Sequence, residues 1–220
     1  MVADAKKRYT LDGAYAMAEG ESGEVSGDTV RIFESPSGFA YGLISDGMGS
    51  GEEAKRTSVF VADFLEAALG SGGSEATFMD IMNSVIRSRG EECGASVDLF
   101  SLDLINGKAS FIKSGAAVSF IKRRTSLFRL KSETVPVGLI SRVDAEKISA
   151  EAAVGDYVIM LSDGICEDGD DVAWLVELLN KPNKRGPREY AELILSEATA
   201  RGGKHDKSVL VMKIGEVDTK

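Results

Sequence analysis

The stretch "GLISDGMGSGEEAKR", residues 42–56, decides the reading of this chain: an apolar run stops at Ser-Asp-Gly, passes a glycine-rich turn and resumes with helical character. The tripeptide returns once, in "YVIMLSDGICE", residues 157–167, again closing an apolar run. A single Asp-Gly pair after a strand is usually a turn, because glycine tolerates positive φ and aspartate bonds its own backbone. Two of them put two carboxylates, Asp46 and Asp163, at the ends of buried strands, where a side chain is well fixed and suited to hold a ligand.

Working outward, "TVRIFES", the turn "SPSG" at 35–38 and "FAYGLISD" predict a hairpin over 29–46. From Glu52 the pattern is helical: Glu52 and Glu53 favour a helix start, and Val59, Phe60, Phe64, Leu65, Ala68 and Leu69 recur on one face. "GSGGS" ends that helix, and Phe78, Ile81, Met82, Val85 and Ile86 define a second, so the two form an antiparallel pair. Strands follow in "SVDLFSLDL", "ASFIKSG", "AVSFIKRR" and "SLFRLKS", with Asn106-Gly107 as a strong hairpin turn. The run "EKISAEAAVGDYVIMLSDG" predicts two more strands with Gly155-Asp156 as their turn. Helices near 170–180 and 187–201 precede the last strand, "SVLVMKI". Hairpin-linked strands with paired helices indicate an α+β fold of antiparallel sheets covered by helices, without the strict alternation of a doubly wound fold. The length of 220 residues fits one domain over 1–220.

Composition excludes several functions. A net charge of −9, from 35 acidic and 26 basic residues, argues against duplex nucleic acid as a partner. No apolar segment reaches the roughly 18 residues of a membrane span. The start "MVADAKKRYT" carries no secretory signal, so a cytoplasmic setting is the default. The two cysteines, Cys93 and Cys166, lack C-x-x-C spacing and read as reduced thiols; Leu99 and Val172 stand where a Cys-x5-Arg phosphate loop needs arginine. With His205 as the single histidine, a structural zinc site is out of reach, and there is no G-x-S-x-G elbow for a serine hydrolase. Chemistry in this chain must therefore rest on carboxylates, hard ligands suited to magnesium or manganese.

If Asp46 and Asp163 meet, their repulsion at about 4 Å costs on the order of 4 kcal/mol at an effective dielectric near 20, and a divalent cation reverses the sign. Asp28 closes the glycine-rich segment before a strand, and Asp206 precedes the final strand. Four carboxylates at strand ends could hold two ions about 4 Å apart with a shared water whose pKa falls to about 7.

These residues carry a family resemblance. "VSGD" (25–28), "ISDGMGSGEEA" (44–54), "VPVG" (135–138), "MLSDGI" (160–165) and "SVLVMKI" (208–214) resemble, in order, the phosphatase domain of the stage II sporulation protein E family. That family lies within the bacterial type 2C metal-dependent protein serine/threonine phosphatases. The likeness runs from about Val25 to Ile214. It implies two stacked antiparallel sheets with a helix pair on each outer face, and two Mn2+ or Mg2+ ions hydrolysing phosphoserine or phosphothreonine on a protein. By the match, Asp46 would bridge both ions, Gly47 would lend its carbonyl, Asp163 would bind one ion and Asp28 would hold waters of the other. The implied substrate is a phosphorylated anti-sigma-factor antagonist, which ties the chain to sporulation and sigma-factor regulation.

One departure stands out. The family's last motif is Asp-Asp or Asp-Asn, one residue, then Thr or Ser; here "HDKS" puts His205 three before Ser208 and Asp206 two before. Asp206 is taken as the last ligand, with His205 or a weakened site as alternatives. A degenerate, phosphatase-shaped binding or sensing module is accordingly the second reading. A nucleotide-binding loop at "GMGSG" is disfavoured by Glu52 where G-x-G-x-x-G needs glycine. "DGDDV", 168–172, matches an aspartate-nucleophile phosphatase motif but lacks the preceding strand and reads as a solvated helix start. "KRR", 122–124, reads as an exposed strand end rather than a docking patch. No arginine is placed as a phosphate clamp. The helix from 52 to 69 reads as core packing, with regulation as its alternative role because it is tied to Asp46. The start "MVADAKK" suits a cytoplasmic domain excised from a longer membrane-anchored protein, and a dimer is compatible with the sequence.

Overall fold

The computed structural model describes residues 6–20, 24–72, 74–90, 93–166 and 172–217. Ten strands form two five-stranded antiparallel sheets. In chain order they are β1 Tyr9–Ala18, β2 Asp28–Glu34, β3 Phe39–Asp46, β4 Val97–Asp103, β5 Lys108–Ser114, β6 Ser119–Lys122, β7 Leu127–Leu130, β8 Glu146–Glu151, β9 Tyr157–Leu161 and β10 Lys207–Glu216. The helices are α1 Gly51–Gly70, α2 Glu75–Arg87, α3 Ala173–Asn180 and α4 Pro187–Ala200. One sheet runs β1-β10-β9-β6-β7, the other β2-β3-β4-β5-β8.

Strand alternation sorts side chains into layers. Val30, Ile44, Phe100, Phe111, Met160 and Leu210 point into the space between the sheets. The opposite faces are covered by helices: Leu43 and Leu99 meet Val61, Leu65, Met82 and Ile86 of α1 and α2, while Ile159 and Val211 meet Leu175, Tyr190 and Ile194 of α3 and α4. The αββα sandwich expected from the sequence is therefore present.

Three expectations need correction. Strand β1 escaped notice, because "YTLDGAYAMA" combines Asp12, Gly13 and three alanines with positions that are half-buried or exposed; it is an edge strand paired along ten residues with β10, from Tyr9↔Glu216 to Ala18↔Lys207. Gly155-Asp156 is not a hairpin turn: β8 pairs with β5 in one sheet and β9 with β10 and β6 in the other, so this corner carries the chain between sheets. The "KRR" cluster is not an exposed end. Lys122 is buried and donates to Leu179 O and, at 3.1 Å, to Lys181 O, holding the C-terminal carbonyls of α3. Arg123 forks onto Asp156, with Nε to Oδ1 at 3.0 Å and Nη2 to Oδ2 at 2.8 Å, which leaves Arg124 as the exposed member. Residues 168–171 of "DGDDV" lie outside the described residues.

The intersheet core also contains a charge pair. Lys113 Nζ, fully buried, donates to Asp98 Oδ2 at 2.6 Å and to Ser119 Oγ at 2.9 Å, and Ser119 Oγ donates to the same Asp98 oxygen. This joins β4 and β5 to β6 of the other sheet, two residue pairs inward from Asp46 and Ser96. Breaking a buried pair leaves an uncompensated charge, so Lys113→Ala should cost about 3 kcal/mol. Urea unfolding should show the loss as a lower midpoint at unchanged slope.

Candidate active site

Both S-D-G strands are interior to their sheets, β3 next to the edge strand β2 and β9 at the centre, and they end at the same edge of the sandwich. Asp28 and Asp46 are direct cross-strand partners on β2 and β3, on the face that carries Val30 and Ile44 into the intersheet space. Facing them from the other sheet are Ser162, after β9, and Ser208 on β10: Ser162 N donates to Ser208 O at 3.0 Å, and Ser208 N donates to the Ser162 hydroxyl Oγ at 2.9 Å. Between the sheets opens a depression of about 280 Å3 lined by Asp46, Gly47, Met48, Asp163, His205 and Asp206 among others.

The serine of each S-D-G has a structural task. Ser45 Oγ donates to Ser96 O at 2.9 Å, and Ser96 Oγ accepts from Asp46 N at 3.2 Å, so β4 clamps the first aspartate. Ser162 does the equivalent toward β10. The glycines are required by close backbone approach, not by positive φ, which in this loop belongs to Gly49 and Gly51. A Cβ at Gly47 would stand 1.9 Å from Ala54 O at the start of α1, and one at Gly164 would stand 2.1 Å from Asp206 O. Gly164 thus locks the second S-D-G against the loop carrying Asp206. Gly164→Ala should cost about 2 kcal/mol through overpacking against backbone, checked by thermal unfolding.

Asp206 holds the glycine-rich segment in place. Its Oδ1 accepts from Gly20 N and its Oδ2 from Gly27 N, both at 2.8 Å, fixing the approach to Asp28. Lys55 of α1 donates to Asp28 O and Thr29 Oγ1. The "VPVG" segment backs the site: Val137 bridges to Ala95, which bridges to Gly47.

The electrostatics follow from crowding. Burial pushes the Asp46 carboxyl up to about 8, helped by the charges of Asp28, Asp163 and Asp206 and by a hydrogen bond with Asp28. Burial likewise lifts Asp28 to about 6, partly offset by the Ser208 and Ser162 hydroxyls and reinforced by Asp163 and Asp206. Aspartates from β2, β3 and the ends of β9 and β10 therefore feel one another at a single edge. Asp28 Oδ2 and Ser208 Oγ are buried without a hydrogen-bond partner, an expensive arrangement for a carboxylate unless a cation or proton completes it. Among the described residues no three histidine, cysteine, aspartate or glutamate side chains lie, as placed, in an arrangement that could hold a metal ion.

Sequence reasoning placed all four aspartates and Gly47, and the structure sets Asp46, Gly47, Asp163 and Asp206 around one depression with Asp28 beside Asp46. It missed the supporting Ser96, Ser208 and Lys55, for which spacing carries no signal.

This sandwich, with paired aspartates at the rim, has the architecture of the PP2C type of phosphatase domain. Structural comparison agrees. The chain superposes with TM-score 0.88 and 30% identity on a structure of the PP2C phosphatase domain and a fragment of the regulatory domain of SpoIIE from Bacillus subtilis, covering 98% of this chain and 64% of that one. The Streptococcus agalactiae serine/threonine phosphatase, 15% identical, shares the fold with TM-score 0.80 over 93% of this chain and 99% of its own. RsbX, solved in complex with magnesium and 14% identical, shares it with TM-score 0.73 over 93% of this chain and 96% of its own. The family model for stage II sporulation protein E (SpoIIE) matches residues 39–215, and the chain belongs to that family. Stage II sporulation protein E of B. subtilis is 32% identical over 216 residues, 94% of this chain, and that of Priestia megaterium 31% over 196 residues, 87% of it. The chain spans 26% and 34% of the length of those two relatives. No helix among the described residues is long and apolar enough to cross a membrane.

Proposed function

We propose that residues 1–220 form one metal-dependent phosphatase domain that removes phosphate from serine or threonine of a regulatory protein, an anti-sigma-factor antagonist. The carrying observation is that Asp28 and Asp46, partners across β2 and β3, meet Asp163 and Asp206 at one edge, where burial and the neighbouring carboxylates raise the proton affinity of Asp46 and Asp28. Such a cluster suits divalent cations, and the unpartnered Asp28 Oδ2 fits the same demand. Asp46, Asp163, Asp28 and Asp206, with the Gly47 carbonyl, would hold two Mn2+ or Mg2+ ions. When bound, the ions supply Lewis-acid neutralisation of phosphate oxygens and acidify water to near neutrality.

The chain's own groups do the positioning. Ser96 and Ser45 fix Asp46, Ser162 and Gly164 fix the second S-D-G, and Asp206 fixes the loop that delivers Asp28. Direct in-line attack of water on phosphorus, with no phosphoenzyme, is the reaction that such a cation-holding edge would support. The setting is cytoplasmic, within a longer membrane-anchored protein, and the domain is compatible with dimerisation. Phosphate release from a serine-phosphorylated antagonist with Mn2+, and its loss on chelation, tests the reading.

A second reading has one specific support: both Asp206 oxygens already accept backbone bonds, which favours a weakened second ion site and a binding module. Calorimetry separates the two. Two Mn2+ equivalents with turnover support the enzyme, whereas one equivalent without turnover supports the module.

A further inference from the structure

The depression itself offers a protein little to bind. Its lining holds Asp46, Asp163 and Asp206 and neither lysine nor arginine among the described residues, so whatever grips the remainder of a phosphoprotein lies beyond it. One side of the depression is apolar. Met48 and Pro136 line it, and Met48 is 41% exposed. Leu139 and Ile140, 36% and 44% exposed, continue that side. A Cβ at Gly94 would stand 2.5 Å from Met48 Sδ and 3.2 Å from Leu139 Cδ2, so the thioether and the leucine lie against the same glycine. Single exposed apolar side chains are ordinary, whereas several that meet beside a site mark an interaction surface.

This apolar strip is built on fixed backbone. Ala95 and Val137 exchange both their backbone bonds, at 3.1 and 2.9 Å, and Met48 N donates to Gly94 O at 2.9 Å. Asn83 of α2, buried, accepts from Gly138 N at 2.7 Å and donates from Nδ2 to Ile140 O at 3.1 Å, which anchors the carbonyl of the residue whose side chain is outermost. A surface ordered in advance loses little entropy when a partner covers it, and a methionine within it adapts to the shape it meets.

We propose that Met48, Leu139 and Ile140 form a docking strip for the phosphoprotein substrate and take an apolar side chain that lies near the phosphoserine. The inference rests on the phosphatase reading and names a specificity determinant for it. Continuity identifies the occupant: Met48 belongs both to the depression and to the strip, so a polypeptide whose phosphoserine enters the depression passes over Met48 and reaches Leu139. An apolar residue there buries surface against all three side chains, and a polar one loses its water without replacement. The discrimination is hydrophobic, so it persists at high salt, where electrostatic recognition fades.

The test uses synthetic phosphoserine peptides with an alanine, glycine and serine background, carrying one Leu or one Asn at successive positions on either side of the phosphoserine. Turnover with Mn2+ is compared with that of free O-phosphoserine, and affinity is read independently by fluorescence anisotropy of labelled peptides. The wild-type domain should favour the best Leu peptide over its Asn counterpart by about tenfold, the scale of half-burying one leucine side chain, at low and high salt alike. Leu139→Asn and Ile140→Asn should each lower that ratio, and the double variant should bring it close to one. Val154→Asn, at a similarly exposed apolar position on the corner between β8 and β9, should leave it at its wild-type value. All three positions are exposed, so an unchanged melting temperature will show that the fold is intact. No Leu preference at any position in the wild type, or an unchanged preference in the double variant, would overturn the docking strip alone. Absence of Mn2+-dependent release from every phosphoserine ester would instead sink the phosphatase reading, and the anisotropy ratio would still decide whether the strip takes an apolar residue.

Discussion

Asp46→Asn and Asp163→Asn should each reduce Mn2+-dependent phosphoserine hydrolysis by about 10³-fold, the effect of losing roughly 4 kcal/mol of charge stabilisation in the transition state. The substitution keeps the side-chain shape while removing the charge, so circular dichroism and size should be unchanged. For Asp46 the geometry makes a further demand. Its carboxyl is pushed up to about 8 by burial and by Asp28, Asp163 and Asp206, so it is a group that destabilises the metal-free fold when ionised. Asp46→Asn should therefore raise the metal-free melting temperature while abolishing turnover. A residue with a purely structural role would lower both. Retention of full activity in both variants would dispose of the catalytic assignment.

The second large effect is on stability against pH. Asp46 binds a proton more tightly folded, near 8, than at its ordinary value of 3.8, and Asp28 near 6 likewise. Between these limits the folded state holds more protons than the unfolded one, so unfolding free energy falls as pH rises. With respect to these groups the metal-free domain should be most stable below about pH 3.8 and lose stability steadily up to about pH 8. The Asp46 contribution is on the order of 5 kcal/mol across that window. Asp46→Asn should flatten the slope. Mn2+ should act in the opposite sense, displacing the proton, binding more tightly as pH rises and releasing acid on binding. At a hundredfold excess over its Kd it should add about 2.7 kcal/mol, a melting shift of roughly 5–10 °C for a chain of this size. Chemical denaturation from pH 5 to 8, with and without Mn2+, reads all of these.

The elements legible in the sequence were those whose signal is local. The 29–46 hairpin, the helix after Glu52 and the Asn106-Gly107 turn are written in periodicity and turn chemistry. The site aspartates were legible because strand ends, glycine and acid recur together. What failed was long-range pairing. Strand β1 is marginal by composition and exists because β10 offers it a ten-residue edge. The Gly155-Asp156 corner looks like any hairpin turn, and only the partners of β8 and β9 reveal that the chain changes sheets there. Lys122 is buried because the end of α3 arrives above it, and nothing within "KRR" announces that. In the same way Asp206 was read as a ligand, while its two bonds to Gly20 and Gly27, some 180 positions earlier, could not be inferred from spacing.

The central claim is that aspartates distant in sequence share divalent cations at one edge of the sandwich. Its most direct test is anomalous diffraction from crystals of the domain soaked in Mn2+. The account predicts two peaks between the sheets, within coordination distance of Asp46 and Asp163 and flanked by Asp28 and Asp206. Manganese bound elsewhere, or no peak at this edge at saturating concentration, would contradict it.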